Sequence, residues 1–266
     1  MLLVECLDLC LILKFSLPVE LRQRIHQFLS LKINDQNIFS AILMPPIERA
    51  LTYGPIAFWD TSQITTMRRL FSYCNKFNED ISRWDVSNVT NMEDMFYSAS
   101  VFNASLENWN VSKVTSMRSM FERAITFNQP IGNWNVSSVT DMSHMFEYAV
   151  RFNQPLGKWN VASVITMYEM FYDADEFNQP IEEWKVSNVT DMYMMFMDAT
   201  SFNQPLGKWD VSNVRKMGGM FGGESAFNQP IAHWNVQQGK TDTWRMFDEE
   251  KSDAFQQEMP AWLSTY

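Results

Sequence analysis

Histidine and cysteine are the residue types in this chain that could support metal or nucleophilic chemistry. The histidines, His26, His144 and His233, lie far apart, and none forms a pair with the spacing of metal ligands. Cys6 and Cys10 lack partners at zinc-site spacing, and the sequence contains no nucleophile elbow or Walker loop. The sequence therefore predicts a protein that is not an enzyme, with no catalytic residues, metal site or cofactor.

A glycine-rich stretch at 217–223 is the second place to look for chemistry. It lacks the Lys and Ser/Thr that a phosphate-binding loop requires. It falls where a helix is predicted, and each Gly costs a helix about 1 kcal/mol relative to Ala. We interpret it as decay of a repeated pattern toward the C-terminal end.

A group of aromatic, methionine and acidic residues has the composition of a protein-binding surface. Interfaces place aromatic and Met side chains at their centre and polar groups at their rim. These positions vary between repeats, whereas the core positions are copied. The alternative is that these side chains lie over neighbouring repeats and complete the packing. The predicted partner-binding residues are Tyr168, Tyr172, Tyr193, Met194, Met197, Glu169 and Asp173, and the predicted partner is a basic or amphipathic protein.

Charge and composition exclude several classes of partner. The net charge of -10 opposes binding to nucleic acid, and no basic cluster interleaved with aromatic residues is present. No apolar stretch reaches the roughly 20 residues of a membrane span. Three cysteines make no disulfide framework, and the apolar start carries Glu5 and Asp8 without a basic leading segment. These features favour a cytoplasmic location; the alternative is a secreted or cell-surface protein.

The elements that must position these residues are repeats of 25 residues, marked by a column of tryptophans. Such a period predicts a solenoid whose units pack mainly on their neighbours. A column of Asn, from Asn78 to Asn228, is expected to hydrogen-bond the bent backbone between units. The predicted structural core includes Trp84, Trp109, Trp134, Trp159, Trp184 and Trp209.

Within one repeat the pattern predicts an α/β unit. Val139, Met142, Phe146 and Ala149 recur at the spacing of one face of a short helix. The segment 131–136 has no helical period and follows a proline, so it is predicted to be a short parallel strand.

The repeat pattern also divides the chain. We expect an N-terminal helical segment at 1–33, an N-terminal cap at 34–58, the repeat solenoid at 59–247 and a C-terminal cap at 248–266. Solenoid ends need such caps because their terminal units lack a neighbour on one side.

The columns Phe-Asn-Gln-Pro-Ile, Trp-Asn-Val-Ser, Val-Thr-x-Met and Met-Phe, as they stand from Phe127 to Phe146, resemble the BspA-like, Mycoplasma-type leucine-rich-repeat family. The resemblance covers about residues 53–247. It implies a right-handed, leucine-rich-repeat-like solenoid of short strands and short helices, with no catalytic residues. Members are often surface proteins linked to adhesion.

The segment from Leu17 to Leu29 carries a second resemblance, to the opening helix of an F-box. This resemblance implies a Skp-type adaptor as partner; an ordinary amphipathic helix covering the first unit is the alternative. The later part of the F-box motif is not evident between Lys32 and Leu51. The predicted adaptor-binding residues are Leu17, Pro18, Leu21, Ile25 and Phe28. Taken together, the sequence predicts a non-enzymatic protein-interaction scaffold, with a substrate-adaptor-like role as its more specific version and a secreted or cell-surface adhesion protein as the alternative.

Overall fold

A computed structural model describes residues 32–247 and 260–263 of the 266-residue chain. The predicted adaptor-binding residues, Leu17, Pro18, Leu21, Ile25 and Phe28, lie outside the described residues. So do nearly all of the predicted N-terminal helical segment, 1–33, and most of the predicted C-terminal cap, 248–266.

Two short helices precede the repeats. Helix α1 spans Ile38–Leu43, helix α2 spans Pro46–Tyr53, and a 3-10 helix follows at Ile56–Phe58. Proline at the first position of α2 is tolerated because that position has no intrahelical partner for an N–H group. Just before α1, the Asp35 carboxylate accepts hydrogen bonds from the backbone N–H of Thr65 at 2.9 Å and from its hydroxyl at 2.6 Å. This N-terminal segment is therefore fastened to the first repeat. No helix in the described part of the chain has the length and apolar character needed to cross a bilayer.

Consecutive repeats stack on one another in parallel. We number the units 1 to 8, as 59–76, 77–101, 102–126, 127–151, 152–176, 177–201, 202–226 and 227–247. Each unit forms one parallel β-bridge with the next, through Thr66, Asn91, Ser116, Asp141, Thr166, Asp191, Lys216 and Asp242. Because the bridges join equivalent positions, each sequence column becomes a line of adjacent side chains.

The hydrophobic core runs through the units as lines of stacked aromatic rings. The side chains of Trp84, Trp109, Trp134, Trp159, Trp184 and Trp209 are between 2% and 4% exposed. Neighbouring indoles such as Trp184 and Trp209 stack at 6.4 Å between ring centroids. Beside them, the rings of Phe146 and Phe152 stack at 4.0 Å. At the far end, Trp262 continues the indole stack 6.4 Å from Trp234.

The helix predicted in each repeat is wrong. Residues 143–148 form hydrogen-bonded turns, and no helix occurs between 59 and 247. The N–H groups of Met145, Glu147 and Ala149 donate to the carbonyls three residues earlier, at 3.0–3.2 Å. His144 and Tyr148 have positive φ angles of 57° and 54°, which end any helix. Successive turns direct the side chains of Met142, Phe146 and Ala149 toward the core. One face of a helix would place them on the same side.

These turns form what we call the turn ladder, residues 142–149 of unit 4 and their equivalents. The N–H groups of Met142, His144, Phe146 and Tyr148 donate to carbonyls of unit 5 at 2.8–3.1 Å. The Ser143 N–H donates to the Asp141 carboxylate at 2.8 Å. Every backbone N–H of 142–149 is thereby satisfied, as buried polar groups require. All four inter-unit bonds run the same way, from the N–H of one unit to the carbonyl of the following unit.

The strand predicted at 131–136 is also wrong. This segment contains turns at 132–133, and the parallel pairing lies instead at the column of Asp141. Side chains make the inter-unit bonds near Pro130: the Asn103 Oδ1 accepts the backbone N–H of Asn128 at 2.9 Å and the side-chain amide of Gln129 at 3.1 Å. The expectation that the Asn column bonds the backbone between units is thus confirmed.

Candidate functional site

The candidate site lies on the outer face of the turn ladder. We define the outer face as the side chains at the positions of Ser143, His144, Glu147 and Tyr148 and their equivalents in units 1 to 7. Half of these positions are left-handed. Apart from two glycines of unit 7, they have φ between 52° and 61° and are Arg69, Tyr73, Asp94, Ser98, Ser119, Arg123, His144, Tyr148, Glu169, Asp173, Met194 and Asp198. A left-handed residue costs roughly 1–2 kcal/mol, which the ladder bonds offset.

The glycine-rich stretch of unit 7 belongs to this pattern. Gly219 and Gly223 occupy the two left-handed positions, with φ of 63° and 61°. A Cβ on Gly223 would lie 2.0 Å from the Asp198 Oδ1, and one on Gly219 would lie 3.0 Å from the Met194 Cγ. The glycines therefore fit both the backbone conformation and the side chains of unit 6, and our interpretation of them as decay of the repeat is wrong.

The predicted partner-binding residues come together on the outer face of two adjacent units. Tyr168, Glu169, Tyr172 and Asp173 belong to unit 5, and Tyr193, Met194 and Met197 belong to unit 6; all seven are half-buried. This continuous group, which we call the Tyr/Met patch, keeps part of each side chain at the surface.

Contacts between units order the Tyr/Met patch. The rings of Tyr168 and Tyr193 stack at 5.5 Å, and the Tyr172 ring meets the Tyr148 ring edge-on at 5.3 Å. Burial and a hydrogen bond to Glu169 raise the pKa of the Tyr168 phenol above its ordinary value. The side chains of the Tyr/Met patch therefore pack over neighbouring units, as in the alternative interpretation, and are also partly exposed.

Next to the Tyr/Met patch lies a charged cluster that sequence spacing did not reveal. The Nδ1 of His144 contacts the carboxylate of Glu147 in the same unit and lies 3.3 Å from that of Glu169 in unit 5. Glu122 of unit 3 completes the cluster, and one ligand atom each from Glu122, His144 and Glu147 lie within 4.8 Å of one another. Glu122 and Glu147 occupy the same sequence column, so the 25-residue period was the signal that could have found the pair.

The electrostatics of the cluster follow from burial and charge. Burial opposes protonation of His144, but hydrogen bonds and charges from Glu147 and Glu169 outweigh it and raise the His144 pKa to about 9. Burial raises the pKa of Glu122, and the nearby Glu147 carboxylate adds to this effect. The pKa of Glu169 is lowered because hydrogen bonds from His144 and Tyr168 outweigh its burial.

A groove of about 770 Å³ gives solvent access to the cluster along units 1 to 4. Its lining includes Phe39 of α1, Arg69 and Arg118, and it ends at His144 and Glu147. Arg69 is paired with Asp94 of unit 2 at 2.9 Å. The outer face is therefore mixed in charge at the first units and acidic in the units that follow, which suits cationic or basic ligands.

The fold and the outer face define a repeat protein that presents one line of variable side chains. A family model described as "Mycoplasma protein of unknown function, DUF285" matches residues 46–159 and, in tandem, residues 149–262. These matches cover most of the chain, and the chain belongs to this family. Comparisons with curated proteins and with solved structures returned no match.

Proposed function

We propose that this chain is a non-enzymatic protein-interaction scaffold whose stacked units form a right-handed, leucine-rich-repeat-like solenoid. Its recognition surface is the Tyr/Met patch on the outer face of units 5 and 6. The observation that carries this proposal is the juxtaposition of Tyr168, Tyr172, Tyr193, Met194 and Met197 on one half-exposed face.

The chemistry of the patch indicates the kind of partner. Aromatic side chains bring contact area with little loss of conformational entropy, and the ring stacking between units already fixes their orientation. Carboxylates of Glu169, Asp173 and Asp198 surround the rings, and the chain carries a net charge of -10. A basic or amphipathic protein segment would match both the apolar centre and the acidic rim.

Capture of partners by the purified chain tests the proposal. The Y172S/M197S double variant should lose most partner capture, because it removes two central side chains without touching the core. Ile165→Ser is the matched control, since this exposed apolar residue lies outside the patch. Equal capture by the double variant and the wild type, at unchanged melting temperature, would refute the patch.

In a more specific version the chain is a substrate adaptor that binds a Skp-type protein through Leu17, Pro18, Leu21, Ile25 and Phe28. Support comes from the F-box resemblance of this segment. The L21A/I25A variant should then lose co-purification with a Skp-type adaptor while keeping capture through the Tyr/Met patch. Co-purification that is equal in wild type and variant would remove this version.

A second candidate function is adhesion by a secreted or cell-surface protein, which the BspA-like resemblance favours. Asn110 and Asn135 lie in Asn-x-Ser triplets and are exposed, so glycans could be attached there. Asn103 is also in such a triplet, but its side-chain oxygen accepts inter-unit hydrogen bonds. Mass spectrometry separates the candidates: a processed N-terminus with glycans on Asn110 or Asn135 indicates export, whereas an intact or acetylated Met1 indicates retention.

A further inference from the structure

The cluster of Glu122, His144 and Glu147 has a donor set that could hold a metal ion. Two carboxylates and one imidazole converge from adjacent units, with the ligand atoms within 4.8 Å of one another. Ligands of one tetrahedral ion at about 2.1 Å are about 3.4 Å apart. The glutamate side chains would therefore have to rotate and bring their oxygens closer when an ion binds.

Charge gives an independent reason for a cation. Glu122 and Glu147 are only 9% and 8% exposed, and the Glu169 carboxylate lies beside them. Opposite these three carboxylates stand the His144 imidazole and the Arg123 guanidinium, which is 3.7 Å from Glu122. Three negative charges against two positive charges leave one negative charge in a poorly hydrated place, even with His144 protonated. Burying such charge is costly unless a proton or a cation neutralises it.

We propose that Glu122, His144 and Glu147 bind one divalent transition-metal ion on the outer face. The imidazole ligand favours Zn²⁺ or Co²⁺ over Mg²⁺ or Ca²⁺, which prefer sites made of oxygen ligands alone. The groove that ends at His144 and Glu147 supplies the entry path.

Metal titration of the untagged, full-length chain after chelator treatment tests this inference. Zn²⁺ should bind with one-to-one stoichiometry and raise the melting temperature, by an amount that grows with metal concentration. Co²⁺ should give visible d–d absorption without the near-ultraviolet thiolate bands that binding to Cys6, Cys10 or Cys74 would produce.

Two variants locate the ion. His144→Asn removes the imidazole but keeps a residue that tolerates positive φ, and Glu147→Gln removes a carboxylate at constant size. Each should weaken Zn²⁺ binding by about tenfold or more. His233→Asn is the matched control, because His233 bonds the Gly207 carbonyl in a different column. Circular dichroism in chelator checks that the variants fold.

Several results would overturn the inference: no saturable binding by the wild type, thiolate bands in the Co²⁺ spectrum, or unchanged affinity in a folded His144→Asn variant. Any of these would leave His144 as a cationic partner of the glutamates and nothing more. None of them bears on partner capture by the Tyr/Met patch, so the two proposals fail separately.

Discussion

The indole Nε1 of Trp134 donates a hydrogen bond of 3.0 Å to the backbone carbonyl of Leu106 in the preceding unit. The same bond joins Trp159 to Ile131 at 3.1 Å and Trp184 to Leu156 at 3.0 Å. Each indole therefore fills the core and also satisfies a buried carbonyl of the neighbouring unit.

Trp134→Ala should lower the free energy of unfolding by about 3–5 kcal/mol, through lost burial and an unfilled cavity. Trp134→Phe should cost less, about 0.5–1.5 kcal/mol for one lost hydrogen bond, since it keeps most of the ring and the Leu106 carbonyl still accepts the backbone N–H of Trp109. Trp244→Ala is the control, because Trp244 is 56% exposed. Urea denaturation measures all three; similar losses for Trp134→Ala and Trp244→Ala would contradict the role of the indole column.

Asn128→Ala should destabilise the chain by about 1–3 kcal/mol, because two donors lose their acceptor. The Asn128 Oδ1 accepts the backbone N–H of Asn153 at 3.0 Å and the side-chain amide of Gln154 at 2.9 Å. Asn128→Asp keeps both acceptor bonds and should lose much less. Asn133→Ala, at an exposed position, should change the stability by less than about 0.5 kcal/mol. Equal losses for Asn128→Ala and Asn128→Asp in urea denaturation would show that the acceptor is unimportant.

The left-handed positions of the turn ladder should prefer glycine. Tyr73 has a φ of 61° and is 71% exposed, so Tyr73→Gly should be more stable than Tyr73→Ala by about 1 kcal/mol. At the neighbouring Ser72, whose φ is not positive, the order should reverse. Ser72→Ala should be more stable than Ser72→Gly by about 0.5–1 kcal/mol. Thermal melting of the four variants checks the comparison, and the same order at both sites would rule out the backbone explanation.

Stability in chelator should depend on pH through His144. The folded-state pKa of His144, about 9, lies above the ordinary value of 6.5, so the folded protein binds this proton more tightly. The resulting stabilisation is fully present below pH 6.5 and is lost as the pH rises through about 9. Burial lowers this pKa, and the hydrogen bonds and charges of Glu147 and Glu169 outweigh it; Glu122 and Tyr168 also face the ring.

Unfolding midpoints measured between pH 6 and 9.5 should therefore fall for the wild type and change less for His144→Asn. His233→Asn should follow the wild type. Parallel curves for the wild type and His144→Asn would mean that the proton on His144 contributes nothing to stability.

The periodic features of this molecule could be read from the sequence, because a 25-residue repeat places equivalent positions of successive units side by side. The indole column and the bonding role of the Asn column both follow from this period. The backbone conformation inside each repeat does not, because a row of turns and a helix both place Met142, Phe146 and Ala149 on one side. Gly219 and Gly223 were the clearest sign of the left-handed positions, and Asp94, Asp173, Asp198 and His144 add a weaker one, because Asp and His are enriched at positive φ.

Of the candidate site, the sequence predicts which residues form the Tyr/Met patch but not how their side chains are arranged. Variation at the outward positions led to the residues of the Tyr/Met patch, whose role in binding remains a prediction. Their stacking across units was not foreseen, because ring geometry depends on side-chain rotamers that no pattern encodes. Motif spacing along the chain does not reveal the Glu122, His144 and Glu147 cluster, because its members meet across a unit boundary.

The turn-ladder hydrogen bonds share one direction and outnumber the opposing bonds, such as that from the Thr140 N–H to the Thr115 carbonyl, so the stack has a net electrical and geometric polarity. Peptide dipoles aligned in this way add up, as they do along a helix, so the two ends of the stack differ even where their side chains are alike. Growth by duplication of a repeat preserves this alignment at every new junction. A second copy that extended the ladder would have to join head to tail, which produces an open filament, not a two-fold dimer.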